Sequence, residues 1–147
     1  MKLLLIPSAL LLILFTCDSC TYDHVSEDYL GEYSITYSYT YTYFVGNGSA
    51  SAEYTKNDQS CFLTKNADGE VYLEDFEFFD DYSALAVITD DSIKVPSVTY
   101  GSYAEPITFS GHGPFTNDGF TMSITHVHHN WDGSTNSSHG TATATKK

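Results

Sequence analysis

From Tyr33 onward the chain alternates apolar and polar positions. Tyr33, Ile35, Tyr37, Tyr39, Tyr41 and Tyr43 fall on one face of an extended segment, and Ser34, Thr36, Ser38, Thr40 and Thr42 on the other. A period of two places successive side chains on opposite faces of a β-strand. Gly46-Asn47-Gly48 closes this strand as a turn. Ala50, Ala52 and Tyr54 resume the pattern until Lys56-Asn57-Asp58, read as a second turn leading to Cys61-Phe62-Leu63. Asn66-Ala67-Asp68-Gly69 has the residues of a tight turn before Val71-Tyr72-Leu73.

Between Leu73 and Ala86 the pattern is ambiguous. Tyr72, Phe76, Phe79 and Ala86 could share a helical stripe, but Asp80-Asp81 interrupts it, and strand, loop, strand fits the spacing. Ile93-Lys94-Val95 is expected to stop at Pro96, because proline belongs at a strand end or an edge. Ile107 to Ser110 precedes a break at Gly111-His112-Gly113-Pro114, and Asn117-Asp118-Gly119 forms a turn. Phe120, Met122 and Ile124 then alternate with Thr121, Ser123 and Thr125, and Ala142 and Ala144 alternate with threonine in a last strand, Gly140 to Thr145. About eight or nine short strands joined by tight turns predict an all-β domain, a small antiparallel β-barrel or sandwich.

The N-terminus follows different rules. Lys2 precedes a nearly unbroken apolar run from Leu3 to Phe15, the layout of a secretory signal and shorter than the ~20 apolar residues of a membrane-spanning helix. The run ends in Leu14-Phe15-Thr16-Cys17, which resembles a bacterial lipobox. That resemblance implies a signal peptide over residues 1–16, acylation of Cys17 by palmitate or a similar fatty acid, and a lipid-anchored envelope protein. Two acyl chains suffice for stable anchoring where one is marginal. Residues 17–30 are polar and acidic and read as a tether, leaving residues 31–147 for the folded domain. Cys20 and Cys61 can form one disulfide, or remain an exposed and a buried thiol.

Asp28-Tyr29-Leu30-Gly31-Glu32-Tyr33 resembles the Gly-x-Trp opening of the lipocalin and calycin families, with Tyr33 in the place of Trp. Ile93-Lys94-Val95-Pro96 and the glycine-rich break before Asp118-Gly119-Phe120 are similar to patterns in small Bacteroidota lipoproteins with calycin-like barrels. The resemblance implies a calycin-like β-barrel and an outer-membrane location.

Composition narrows the partners. The chain has 19 Asp plus Glu against 6 Lys plus Arg, all six of them Lys, for a formal net charge of −13. That excess repels a phosphate backbone, and Arg, the usual bidentate reader of phosphate, is absent, so nucleic acid is excluded as a partner. An aromatic share of 15% is far above that of a disordered acidic segment.

The chemistry-bearing residues point to binding more than to catalysis. Tyr37, Tyr39 and Tyr41 lie mid-strand, ~6.8 Å apart along one face. They form either a ligand face for a glycan or a small apolar molecule, or a half-buried aromatic strand that stabilises the sheet. His126 and His128 share a face and would need His139 opposite them to hold a metal. A register that buries Ala142 and Ala144 beside Met122 and Ile124 turns His139 outward, so no metal site is expected. Glu74, Asp75, Glu77, Asp80 and Asp81 form an acidic run, more in keeping with a solvated face than with two carboxyls held across a cleft. No nucleophile elbow or phosphate-binding glycine loop is present. The sequence thus predicts no catalytic residues, no cofactor and no enzyme. It predicts a membrane-anchored module that binds a small apolar or glycan ligand, or alternatively a purely structural or protein-interaction lipoprotein.

Overall fold

The computed structural model describes residues 25–79, 82–89 and 91–147. The eight strands are β1 (Gly31–Val45), β2 (Gly48–Lys65), β3 (Val71–Glu74), β4 (Ala84–Thr89), β5 (Ser92–Gly101), β6 (Pro106–Thr116), β7 (Gly119–His129) and β8 (Thr135–Lys146). Each pairs antiparallel with the next, and β8 returns to β1, closing the barrel. Closure supplies both neighbours to the terminal strands and so removes their edges.

This up-and-down order sends the β1–β2, β3–β4, β5–β6 and β7–β8 connections to one end, termed the rim. The remaining connections and both termini of the barrel lie at the other end, the base. At the base, Glu27–Tyr29 forms a 3-10 turn capped by Ser26. The Tyr29 ring meets Phe115 edge-on at 4.9 Å, and the Tyr33 hydroxyl donates to the Tyr29 carbonyl at 2.6 Å. Val25, Tyr29 and Leu30 pack on the core, so residues 25–30 of the expected tether belong to the folded body.

The alternation read from the sequence sorts inside from outside. Tyr33, Ile35, Tyr37, Phe120, Met122, Ile124, Ala142 and Ala144 are all buried. Met122 faces Ala142, and Phe120 faces Ala144, across the β7–β8 ladder. At the expected turn after Lys65, Asn66 Oδ1 accepts from the N–H groups of Asp68 and Glu70, and Gly69 takes φ +87°.

Three segments expected to break strands do not. Lys56-Asn57-Asp58 lies inside a continuous β2. The register slips there, from Ile35 opposite Gln59 to Tyr37 opposite Lys56, and Asp58 adopts φ +56°. This is a β-bulge, and Asp tolerates the left-handed conformation it demands. Pro96 likewise sits within β5, at a register shift between Val95 and Val98 where the ladder is already interrupted. Gly111-His112-Gly113-Pro114 continues β6, and its glycines serve close approach: a methyl on Gly111 would strike the Met122 side chain, and one on Gly113 the Thr121 carbonyl.

The wall is low on one side. β2 pairs with β3 only from Phe62 to Lys65, and β4 with β5 only over Val87 to Thr89. The loop between β3 and β4 folds into this gap, and its described residues Phe76, Phe78 and Phe79 join the core.

Candidate functional site at the barrel rim

The inward face of β1 changes character along its length. Tyr37 is fully buried, with Phe76 and Phe78 edge-on at 5.1 and 5.8 Å. Its hydroxyl accepts from the Glu77 N–H at 3.1 Å, and burial holds its pKa well above the ordinary phenol value. Tyr39 is partly buried, stacked on Tyr54 at 5.5 Å and edge-on to Phe78 at 5.2 Å. Tyr41 lies beyond the reach of the phenylalanine loop; it stacks on Tyr43 at 5.6 Å and meets Tyr54 edge-on. The three tyrosines therefore share a face without sharing an environment, and only Tyr41 opens to the rim.

Phe109, projecting from β6, completes the plug beneath. Phe76, Phe78 and Phe79 lie 5.6, 5.9 and 4.6 Å from its ring. The loop is tied down by the Tyr100 hydroxyl, which donates to the Phe78 carbonyl, and by a Lys56–Glu77 ion pair. The barrel is filled by its own side chains at this level.

Above the plug, a hollow of about 580 Å³ opens at the rim between the β1–β2 and β7–β8 hairpins. Tyr41, Tyr43, Phe44 and Tyr54 line one side, and Asn130, Asp132, Ser134 and Asn136 the other. Asn136 Oδ1 accepts from the Phe44 N–H at 3.2 Å and joins the two hairpins. The β7–β8 tip is braced internally. Asn130 N–H donates to the Ser134 carbonyl, Asn130 Nδ2 donates to Ser134 Oγ, and both the N–H and the hydroxyl of Ser134 donate to Asp132 Oδ1. These Ser134 bonds hold the Asp132 carboxyl below its usual range, so it stays ionised.

Of these residues, sequence reasoning singled out Tyr41 alone as a ligand group. Tyr43 was legible as part of the same row. The polar half was not, because it comes from a hairpin almost ninety residues downstream, and only the closure of β8 onto β1 brings it there.

The histidines are arranged as the burial argument requires. His128 faces Asn136, while His139 faces Thr125 and is exposed. Among the described residues no group of three His, Cys, Asp or Glu side chains could hold a metal. Of the acidic run, Glu74 accepts from Thr64 and Glu77 pairs with Lys56, while Asp80 and Asp81 lie outside the described residues. Cys61 is a free, fully buried thiol with its pKa pushed up to about 12, chiefly by burial. Cys17 and Cys20, with the signal segment, lie outside the described residues. No helix among the described residues is long and apolar enough to cross a membrane.

Compared with known proteins, the chain matches no family model, no curated protein and no solved structure.

Proposed function

We propose that the chain is a lipid-anchored cell-envelope protein, held to the outer membrane through Cys17, whose barrel is a scaffold for a glycan-binding hollow at the rim. One observation carries the choice of ligand. The interior is occupied by Phe76, Phe78, Phe79 and Phe109, so the aromatic groups that line an open hollow are Tyr41, Tyr43, Phe44 and Tyr54 at the rim, facing amide and carboxyl groups. A sugar has an apolar C–H face and a hydroxylated edge, and a ring beside amides satisfies both. An apolar molecule fits less well, because that lining is half polar. The role we infer is binding rather than catalysis: within the acidic run Glu74 is taken up by Thr64 and Glu77 by Lys56.

The anchor agrees with the geometry. The folded body begins at the base, so a tether leaving that end presents the rim away from the membrane. A protein-interaction role is the second reading, favoured by large exposed side chains at all four rim connections: Phe44, Tyr82, Tyr103 and Trp131.

Two measurements on the full chain in detergent test the proposal. Radiolabelled palmitate should enter the protein, and Cys17→Ala should abolish the label; label that persists in Cys17→Ala overturns the anchor. In an immobilised-glycan screen the chain should retain at least one glycan, with affinity falling roughly tenfold in Tyr41→Ala, as loss of one stacked ring does elsewhere. Retention of none overturns the glycan reading in favour of protein interaction.

A further inference from the structure

Trp131 is the single tryptophan of the chain. It lies between Asn130 and Asp132, both of which line the rim hollow, and it is 80% exposed. No ring packs against it among the described residues, whereas Tyr41, Tyr43 and Tyr54 each stack on a neighbour. The turn that carries it is rigid. Gly133 takes φ +83° and donates to the Asn130 carbonyl, and the Asn130, Asp132 and Ser134 side chains are cross-linked by hydrogen bonds. The braced turn fixes the backbone that presents the indole, so binding has only the two side-chain torsions of Trp131 left to order.

The polar groups beside it are only partly used. Asn130 donates through Nδ2, Asp132 accepts through Oδ1 and Asn136 accepts through Oδ1. Asn130 Oδ1, Asp132 Oδ2 and Asn136 Nδ2 have no protein partner among the described residues. The hollow therefore offers acceptors and a donor together, which suits hydroxyl groups that both give and take hydrogen bonds. The net charge of −13 and the ionised Asp132 oppose an acidic sugar.

We propose that Trp131 is a ring platform at the lip of the hollow and that the ligand is a neutral oligosaccharide, one sugar lying on Trp131 while another enters among Tyr41, Tyr43 and Tyr54. This rests on the glycan reading and extends it to ligand length, ligand charge and a second contact. A monosaccharide reaches one of the two surfaces, and a longer chain reaches both.

The single tryptophan makes the test direct. Glucose, cellobiose, cellohexaose and an oligogalacturonate of comparable length are titrated into the full chain in detergent, followed by tryptophan emission and by calorimetry. Cellohexaose should shift the emission to shorter wavelength and bind roughly tenfold or more tighter than glucose, and the oligogalacturonate should bind weakest. Trp131→Ala should remove the length dependence with an unchanged melting temperature, and Trp131→Phe should restore part of it. Cellohexaose binding with no emission change, and with full affinity in Trp131→Ala, overturns the platform and leaves the hollow standing. Binding of none of these sugars overturns the platform for neutral glucans, while the glycan screen decides the hollow separately. A dimer in sedimentation that Trp131→Ala converts to monomer makes the indole a contact between copies of this chain, and also overturns the proposal.

Discussion

The hydroxyl of Tyr37 accepts a hydrogen bond from the backbone N–H of Glu77 at 3.1 Å, joining β1 to the loop that plugs the barrel. Tyr37 contributes both packing and a polar partner to a half-buried amide. Tyr37→Phe keeps the ring and removes the acceptor, so it should cost about 0.5–1.5 kcal/mol, the net worth of a hydrogen bond to a half-buried amide. Urea unfolding measures this, and loss of the Glu77 amide's hydrogen-exchange protection should accompany it.

Glycine positions separate close approach from ordinary turn use. At Gly140 a methyl group would overlap the Ser38 carbonyl and the Tyr39 backbone, whereas at Gly48 nothing lies within 4 Å. Gly140→Ala should therefore destabilise strongly, by roughly the 1–3 kcal/mol of overpacking or more. Gly48→Ala should lie within about 0.5 kcal/mol of wild type. Thermal melts of the two variants side by side check this.

Much of the barrel was legible because its strands obey a period of two over long stretches. The row from Tyr33 to Tyr43, the Phe120-Met122-Ile124 face and the Asn66–Gly69 turn need only local information. Lys56-Asn57-Asp58, Pro96 and Gly111 to Pro114 misled for one physical reason. Asn, Asp, Gly and Pro end strands, but they also form bulges and admit close backbones, and the choice depends on the partner strand. The site was less legible still. Where the tyrosine row passes from core to rim is set by how far Phe76, Phe78 and Phe79 reach in, a contact between distant segments. Beyond the tyrosine row, Trp131 in an Asn-Trp-Asp-Gly turn was a further local signal, an aromatic where turns are usually polar.

The inner and outer faces of β7 should differ sharply. Phe120 and Ile124 are 3% exposed, while Thr121 points to solvent. Phe120→Ala and Ile124→Ala should each cost ~2–5 kcal/mol through lost contacts and a cavity. Thr121→Ala should stay within ~0.5 kcal/mol. Denaturant midpoints are the readout, and equal costs on the two faces would contradict the assigned register.

Alkaline pH should unfold the barrel from within. Burial raises the pKa values of Tyr33 and Cys61 to about 12 and holds that of Tyr37 higher still. These groups stay protonated in the folded state, whereas in the unfolded chain the thiol ionises near 8.5 and the phenols near 10. Their contribution is complete below those unfolded values and is lost as pH rises towards the folded ones. Stability should accordingly fall above roughly pH 9, with the buried phenols ionising late and together as the fold is lost. An absorbance titration of tyrosinate alongside circular dichroism records both.

The central claim is that the tyrosine row is divided, with Tyr37 serving the fold and Tyr41 serving the ligand. Urea unfolding of Tyr37→Ala and Tyr41→Ala, measured in parallel with wild type, tests that division most directly. Tyr37→Ala should lose about 3–5 kcal/mol, because its ring fills the interior against Phe76 and Phe78. Tyr41→Ala should lose about 1 kcal/mol or less, since its ring sits at the rim with one stacked neighbour. Equal losses in the two variants would contradict the account.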